Sequence, residues 1–162
     1  MLDEELIAGK TVGDLGREAM CFVLHTMIAL VLLAAVVATM YFMQLDQDSS
    51  GPKLIGLGLG ALVPLIGGFF IAKIQGGSVA GYVWISGLLL FSVVCVWVLD
   101  LPTGPGLCEK CGAISKLTRT FFEINNGSGL MGGDGFLVGC LLPLSIIAYS
   151  MGAKLAFKTD ND

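Results

Sequence analysis

The sequence predicts an all-α integral membrane protein, a single bundle of four transmembrane helices. Three long blocks without formal charge lie between Ala19 and Asp100, and a fourth runs from Gly135 to Ala153. The thirteen acidic and nine basic residues are confined to the gaps between these blocks. Only 14% of the residues are charged, against roughly 25% in a soluble domain, and the mean hydropathy is +0.84. Such a chain is predicted to fold in lipid.

Each block is long enough to cross a bilayer, because roughly 20 residues at 1.5 Å per residue span a hydrocarbon core of about 30 Å. We predict spans at about 19–45, 54–73, 79–99 and 135–154, in one membrane domain that covers residues 1–162. The segment 100–134 is the only long predicted extramembrane loop. Residues 1–18 contain five acids and two bases, unlike a signal peptide. We therefore expect this segment to be retained, with a polar or interfacial helix in it.

The orientation is predicted from lysine and arginine near the spans. Four spans place both termini and the short second loop on one side, with five such residues, and the other side has four. The bases that flank the spans directly, Arg17, Lys73 and Lys154, favour a cytoplasmic location of both termini. We expect the chain to lie in the cell (inner) membrane.

The second span carries small residues at a spacing of four. Gly56, Gly60, Pro64 and Gly68 fall on one helix face, and such a face lets another backbone approach closely in lipid. We interpret it as a packing surface, either within this bundle or against a partner, in preference to a pore or substrate path. Pro64, and Pro143 in the fourth span, should each kink their helix.

The loop 100–134 is predicted to contain a short amphipathic helix. Ile114, Leu117, Phe121 and Ile124 recur at helical spacing, and charged residues, among them Lys116, fall elsewhere around the helix. This pattern is typical of a helix that lies on the membrane surface.

Cys108 and Cys111, in the same loop, are the one motif that could carry chemistry. Two thiols at this spacing can form a small disulfide, and a nearby cation or helix N-terminus lowers the pKa of the first thiol. Cys95 and Cys140 each lie about 7 Å inside the third and fourth spans by the helical rise, on the side of this loop. Four thiols could then meet near one membrane surface. Alternatively, Cys108 and Cys111 form a local structural disulfide or stay idle, and the other two pack as small apolar residues.

Four helices with a surface CxxC resemble the thiol-oxidising quinone reductases of the DsbB and vitamin K epoxide reductase type. The resemblance is architectural and involves Cys108 and Cys111 alone. It implies a quinone cofactor and a redox cycle of this pair. In the vitamin K epoxide reductase type the CxxC lies at the mouth of the last helix, whereas here twenty-three residues separate Cys111 from Gly135.

His25 is the single histidine and lies inside the first predicted span. An ionisable residue within a span is a candidate for a proton relay or a ligand site. One histidine cannot provide both axial ligands of a bis-histidine haem, and we favour a structural or interfacial role. A zinc site needs about four ligands, which this distribution of histidine and cysteine does not favour, so we predict no metal.

The sequence therefore favours a structural, assembly or channel-forming subunit of a larger membrane complex over an enzyme. Its expected partners are membrane lipids and other membrane subunits or further copies of the chain. Nucleic acid is not expected, because the net charge is −4 and the bases are scattered. The first alternative is a thiol–disulfide redox protein that uses Cys108 and Cys111, and we expect a cofactor, quinone, only in that case. The second alternative is a small transporter or channel.

Overall fold

The computed structural model describes residues 12–43, 50–75, 78–101, 112–122 and 133–159. These residues are helical almost throughout, and four helical segments are long and apolar enough to cross a membrane. The predicted all-α bundle of four membrane spans is thereby confirmed. The helices are α1 (Val12–Phe42), α2 (Ser50–Gln75), α3 (Trp84–Asp100), α4 (Ala113–Phe122), α5 (Gly133–Phe136) and α6 (Leu142–Thr159).

Two further turns complete the membrane spans. A 3₁₀ turn at Ser78–Tyr82 leads into α3, so that the third span is Val79–Asp100. A π-helical turn at Leu137–Leu141 joins α5 to α6, and the fourth span is Leu137–Lys158. The helix α1 begins at Val12, upstream of the apolar block. The polar residues just before Ala19 therefore belong to the same helix as the first span. The remaining N-terminal residues lie outside the described part of the chain.

Contacts between the spans show that their directions alternate. The fourth span runs antiparallel to α1, since His25 meets Tyr149 whereas the later residue Met40 packs with the earlier residue Leu141. It runs parallel to α2, where Gly60 meets Ser145 and Gly68 meets Tyr149. We call the end of the bundle where α1 begins and α6 ends the base, and the opposite end the loop end.

The fourth span lies at the centre of the bundle. Half of its most apolar stretch is buried within the protein, against 17% for α1 and 22% for each of the other two. Its buried face has small residues at a helical spacing, namely Ser145, Ala148, Gly152 and Ala156. These small side chains allow the neighbouring helices to approach closely.

The glycine face of α2 packs against this centre. Gly56, Gly60, Pro64 and Gly68 are all buried. A Cβ atom at Gly68 would lie 2.2 Å from the carbonyl oxygen of Tyr149, and one at Gly152 would lie 1.9 Å from that of Leu65. Helix backbones therefore touch at both positions, and only glycine fits there. The small-residue face of α2 is used inside the bundle.

The π turn lies directly before Pro143. The amide of Leu142 donates to the carbonyl of Leu137, five residues back. Proline has no amide hydrogen, and in a regular α-helix its ring would meet the carbonyl four residues earlier, that of Gly139. The wider turn gives that carbonyl room. In α2, by contrast, the helix runs from Ser50 to Gln75 with Pro64 inside it.

Alanine substitutions separate the contact glycines from the exposed ones. We expect Gly68→Ala to destabilise the protein by about 1–3 kcal/mol, as overpacked sites do. Gly58→Ala is the matched control on the same helix, because a Cβ atom there meets nothing within 4 Å. The measurement is the unfolding midpoint of each variant in mixed detergent micelles. Equal midpoints for the two variants would contradict the close backbone contact.

Candidate functional site

A buried pair of polar side chains joins α1 to the fourth span. The Nδ1 atom of His25 lies 2.6 Å from the hydroxyl of Tyr149. The two side chains are 2% and 0% exposed, so water does not compete for this hydrogen bond. The donor is the phenol if Nδ1 is unprotonated, and the imidazole otherwise. His25, predicted as a candidate polar site in the membrane, thus has a specific partner.

A second contact, one residue along α1, reaches the third span. The hydroxyl of Thr26 lies 3.1 Å from that of Ser86 and 2.9 Å from the carbonyl of Phe22 in its own helix. Its single proton is shared between these acceptors. Ser86 donates in turn to the carbonyl of Val83 at 2.7 Å. This contact fixes the start of α3 beside α1.

Two serines of the fourth span donate to backbone carbonyls of other elements. Ser145 donates to Gly60 of α2 at 2.8 Å, and Ser150 donates to Gly81 of the 3₁₀ turn at 2.6 Å. The carbonyl of Gly60 is reachable because no side chain covers the backbone there. Together with the contacts of His25 and Thr26, these bonds connect all four spans. Within the described residues, every buried side-chain nitrogen and oxygen has a hydrogen-bond partner.

We call His25, Thr26, Ser86, Ser145, Tyr149 and Ser150 the polar cluster. Its groups bond to one another or to backbone carbonyls, and no carboxylate or lysine takes part in the bonds described above. This arrangement positions helices and rigidifies the bundle. The sequence singled out only His25. The spacing of Ser145, Tyr149 and Gly152 on one face of the fourth span was the signal that could have identified the others.

At the loop end, α4 is attached to the third span by a buried lysine. Lys116 is 5% exposed, and its ammonium group donates to the carbonyl of Leu99 at 2.8 Å and also to that of Leu101. The last carbonyls of a helix have no partner within the helix and carry partial negative charge. Lys116 therefore caps α3. The predicted amphipathic helix is present, but Lys116 lies on its buried face, and Ile114, assigned to the apolar face, is 80% exposed.

The aromatic ring of Phe121 fixes the other end of α4. It packs on Phe91 of α3, with 5.6 Å between ring centroids. It also covers Gly139 in the π turn, where a Cβ atom would lie 2.1 Å from the ring. The helix α4 is thus wedged between the third and fourth spans, and Gly139 is needed to admit the ring.

The predicted cysteine site is described only in part. Cys108 and Cys111 lie outside the described residues. Cys95 and Cys140 are half-buried free thiols, and no disulfide joins them. Cys140 packs among apolar residues that include Val36 and Leu141, in agreement with its alternative interpretation as a packing residue. Within the described part of the chain, no three potential metal ligands come together.

Comparisons with known proteins do not assign the chain to a family. The chain matches no protein-family model, and neither the curated proteins nor the solved structures contain a significant match. The fold and the buried contacts define the class, an integral membrane protein of four helical spans. Any functional conclusion therefore depends on the residues of this chain.

The hydrogen bond between His25 and Tyr149 can be measured with a double-mutant cycle. We expect Tyr149→Phe and His25→Phe each to destabilise the protein, with a coupling energy between the mean of about 0.6 kcal/mol and the maximum of about 1.7 kcal/mol found for side-chain hydrogen bonds between membrane helices. The measurement is the free energy of unfolding in mixed micelles. Tyr41→Phe is the control, because Tyr41 is 75% exposed. A coupling energy near zero would show that the two side chains do not interact.

Lys116→Met tests the attachment of α4. We expect a loss of about 1.5–3 kcal/mol, the range for hydrogen bonds to a charged group, and faster amide hydrogen exchange throughout residues 113–122. Lys158→Met is the control, because Lys158 is exposed at the end of α6. Unchanged exchange in α4 of the Lys116 variant would contradict the capping role.

Proposed function

We propose that this protein is a structural or assembly subunit of a larger membrane complex, and that it contacts its partner through residues 20–31 of α1. The observation that carries the proposal is a set of four large, exposed side chains on that helix. Met20, Leu24, Met27 and Val31 are 71%, 47%, 55% and 65% exposed, respectively. Their separations of four, three and four residues are those with which one helix packs against another.

Two properties of this face support a protein partner in addition to lipid. Two of its four side chains are methionines, which adapt their shape to a binding surface better than branched residues do. In addition, the glycine face of α2 is already occupied by the fourth span. A partner helix must therefore use an outer surface, and α1 is the least buried of the four spans.

The polar cluster supports a role without catalysis. Its hydrogen bonds are satisfied within the protein, which suits a rigid scaffold. The redox alternative, with quinone as its cofactor, depends on Cys108 and Cys111, and no described contact favours it. Channel formation and transport likewise remain alternatives that are predicted from the sequence alone. We place the protein in the cell (inner) membrane with both termini in the cytoplasm, on the basis of Arg17, Lys73 and Lys154.

The test is the mass of the protein purified in a mild detergent, together with any co-purifying chain. We expect a species larger than the 17.0 kDa of one chain after correction for detergent. Val31→Trp should dissociate it, because an indole enlarges a side chain at the contact. Leu62→Trp is the matched control, since Leu62 is 59% exposed on the outer face of α2.

Two outcomes would contradict this proposal. A strictly monomeric wild-type protein without a co-purifying chain would exclude a stable complex. An assembly that persists in the Val31 variant would exclude this face of α1 as the contact.

A further inference from the structure

An apolar groove runs along the loop half of α1, beside the fourth span. Seven side chains of α1 between Leu30 and Phe42 form one wall. Leu137, Val138 and Leu142, which belong to the π turn and the residue after it, form the other wall. The groove has a volume of about 670 Å³, within the usual range of about 300–1,000 Å³ for small-molecule sites.

The groove lies beside two buried contacts between α1 and the fourth span. At Ala29 the two spans are in contact, since Ala29 belongs to a buried cluster with Ile146 and Tyr149. The next residue, Leu30, lines the groove. Farther along α1, Val36 and Met40 face a second buried cluster with Leu141, so that α1 stays attached while its neighbouring face is open. The hydrogen bond of His25 with Tyr149 lies beyond the closed end.

The length of the groove corresponds to one leaflet of a bilayer. Residues 30–42 extend over about 18 Å at 1.5 Å per residue, and half of a hydrocarbon core of about 30 Å is about 15 Å. The open end is at Tyr41 and Phe42, which are 75% and 81% exposed. Aromatic residues at this position are typical of the boundary between hydrocarbon and headgroups.

The absence of charged side chains in the lining also suits a hydrocarbon ligand. No charged side chain lines the groove, and its one polar group is the phenol of Tyr41, at the headgroup level. The exposed side chain of Phe42 continues it into the outer surface of α1. A phospholipid can therefore reach the groove sideways from the bilayer, with its headgroup near Tyr41.

The lining without charge, the length near that of one leaflet and the open side toward the bilayer together suit an extended hydrocarbon chain. We propose that the groove binds one acyl chain of a phospholipid from the leaflet at the loop end, held against α1 by the π turn.

Two alanines of α1 provide a matched test. Ala38 lines the groove, whereas Ala35 is exposed on the same helix and does not line it. The wild type, Ala38→Phe and Ala35→Phe are reconstituted in dioleoyl phosphatidylcholine vesicles, extracted in mild detergent and washed. Retained phospholipid is then counted by native mass spectrometry. We expect one retained phospholipid per chain in the wild type and in Ala35→Phe, and an occupancy at least ten-fold lower in Ala38→Phe.

A second measurement needs no substitution. The wild type is reconstituted with a phosphatidylcholine that carries a diazirine in one acyl chain, washed in detergent and irradiated. We expect adducts on peptides that contain Val37 and Val138, in excess over peptides of α2 that contain the more exposed Leu62 and Ile66. Equal retention in all three proteins, no retained lipid in the wild type, or uniform labelling of α1, α2 and the fourth span would each overturn the proposal.

Discussion

The contact between the backbones of α2 and the fourth span is the constraint on which the rest of the structure depends. Leu65 and Tyr149 present carbonyl oxygens so close to Gly152 and Gly68 that no side chain fits at either glycine. In lipid, association of helices gains little from the hydrophobic effect and depends on packing at short range. The close contact also brings the carbonyl of Gly60 within hydrogen-bond distance of the hydroxyl of Ser145. One geometric feature thus provides both the packing and the first polar bond between spans.

The remaining polar contacts extend from this pair of helices to the other two. The backbone of Tyr149 packs against Gly68 of α2, and its hydroxyl is hydrogen-bonded to His25 of α1. Ser150, the next residue, holds the 3₁₀ turn before α3 through Gly81. Because successive residues of a helix point about 100° apart, Tyr149 and Ser150 reach two different neighbours. The histidine is therefore best understood as one part of this framework, which explains how an ionisable residue is accommodated in a span.

The sequence was sufficient to predict the class and the number of spans, since charge distribution and block length follow from the bilayer itself. It also indicated Gly56, Gly60, Pro64 and Gly68 as a packing face, but it did not specify whether the neighbour was internal or external. The partner face, with Ser145, Ala148 and Gly152, was less evident because it mixes three residue types. Lys116 could not be placed, because its acceptors are carbonyl groups of Leu99 and Leu101. Backbone acceptors have no signature in the side-chain pattern.

A tightly packed centre has a consequence for the surface. The fourth span provides close contacts to α2 and α3, whereas α1 is held by His25, Thr26 and Ala29 near the base and by Val36 and Met40 toward the loop end. The outer side of α1 presents Met20, Leu24, Met27 and Val31 as exposed side chains, and toward the loop end a groove lies beside Ala34 and Ala38. The four exposed side chains suit a partner helix and the groove suits an acyl chain. None of the four lines the groove, so one helix can present both proposed contacts.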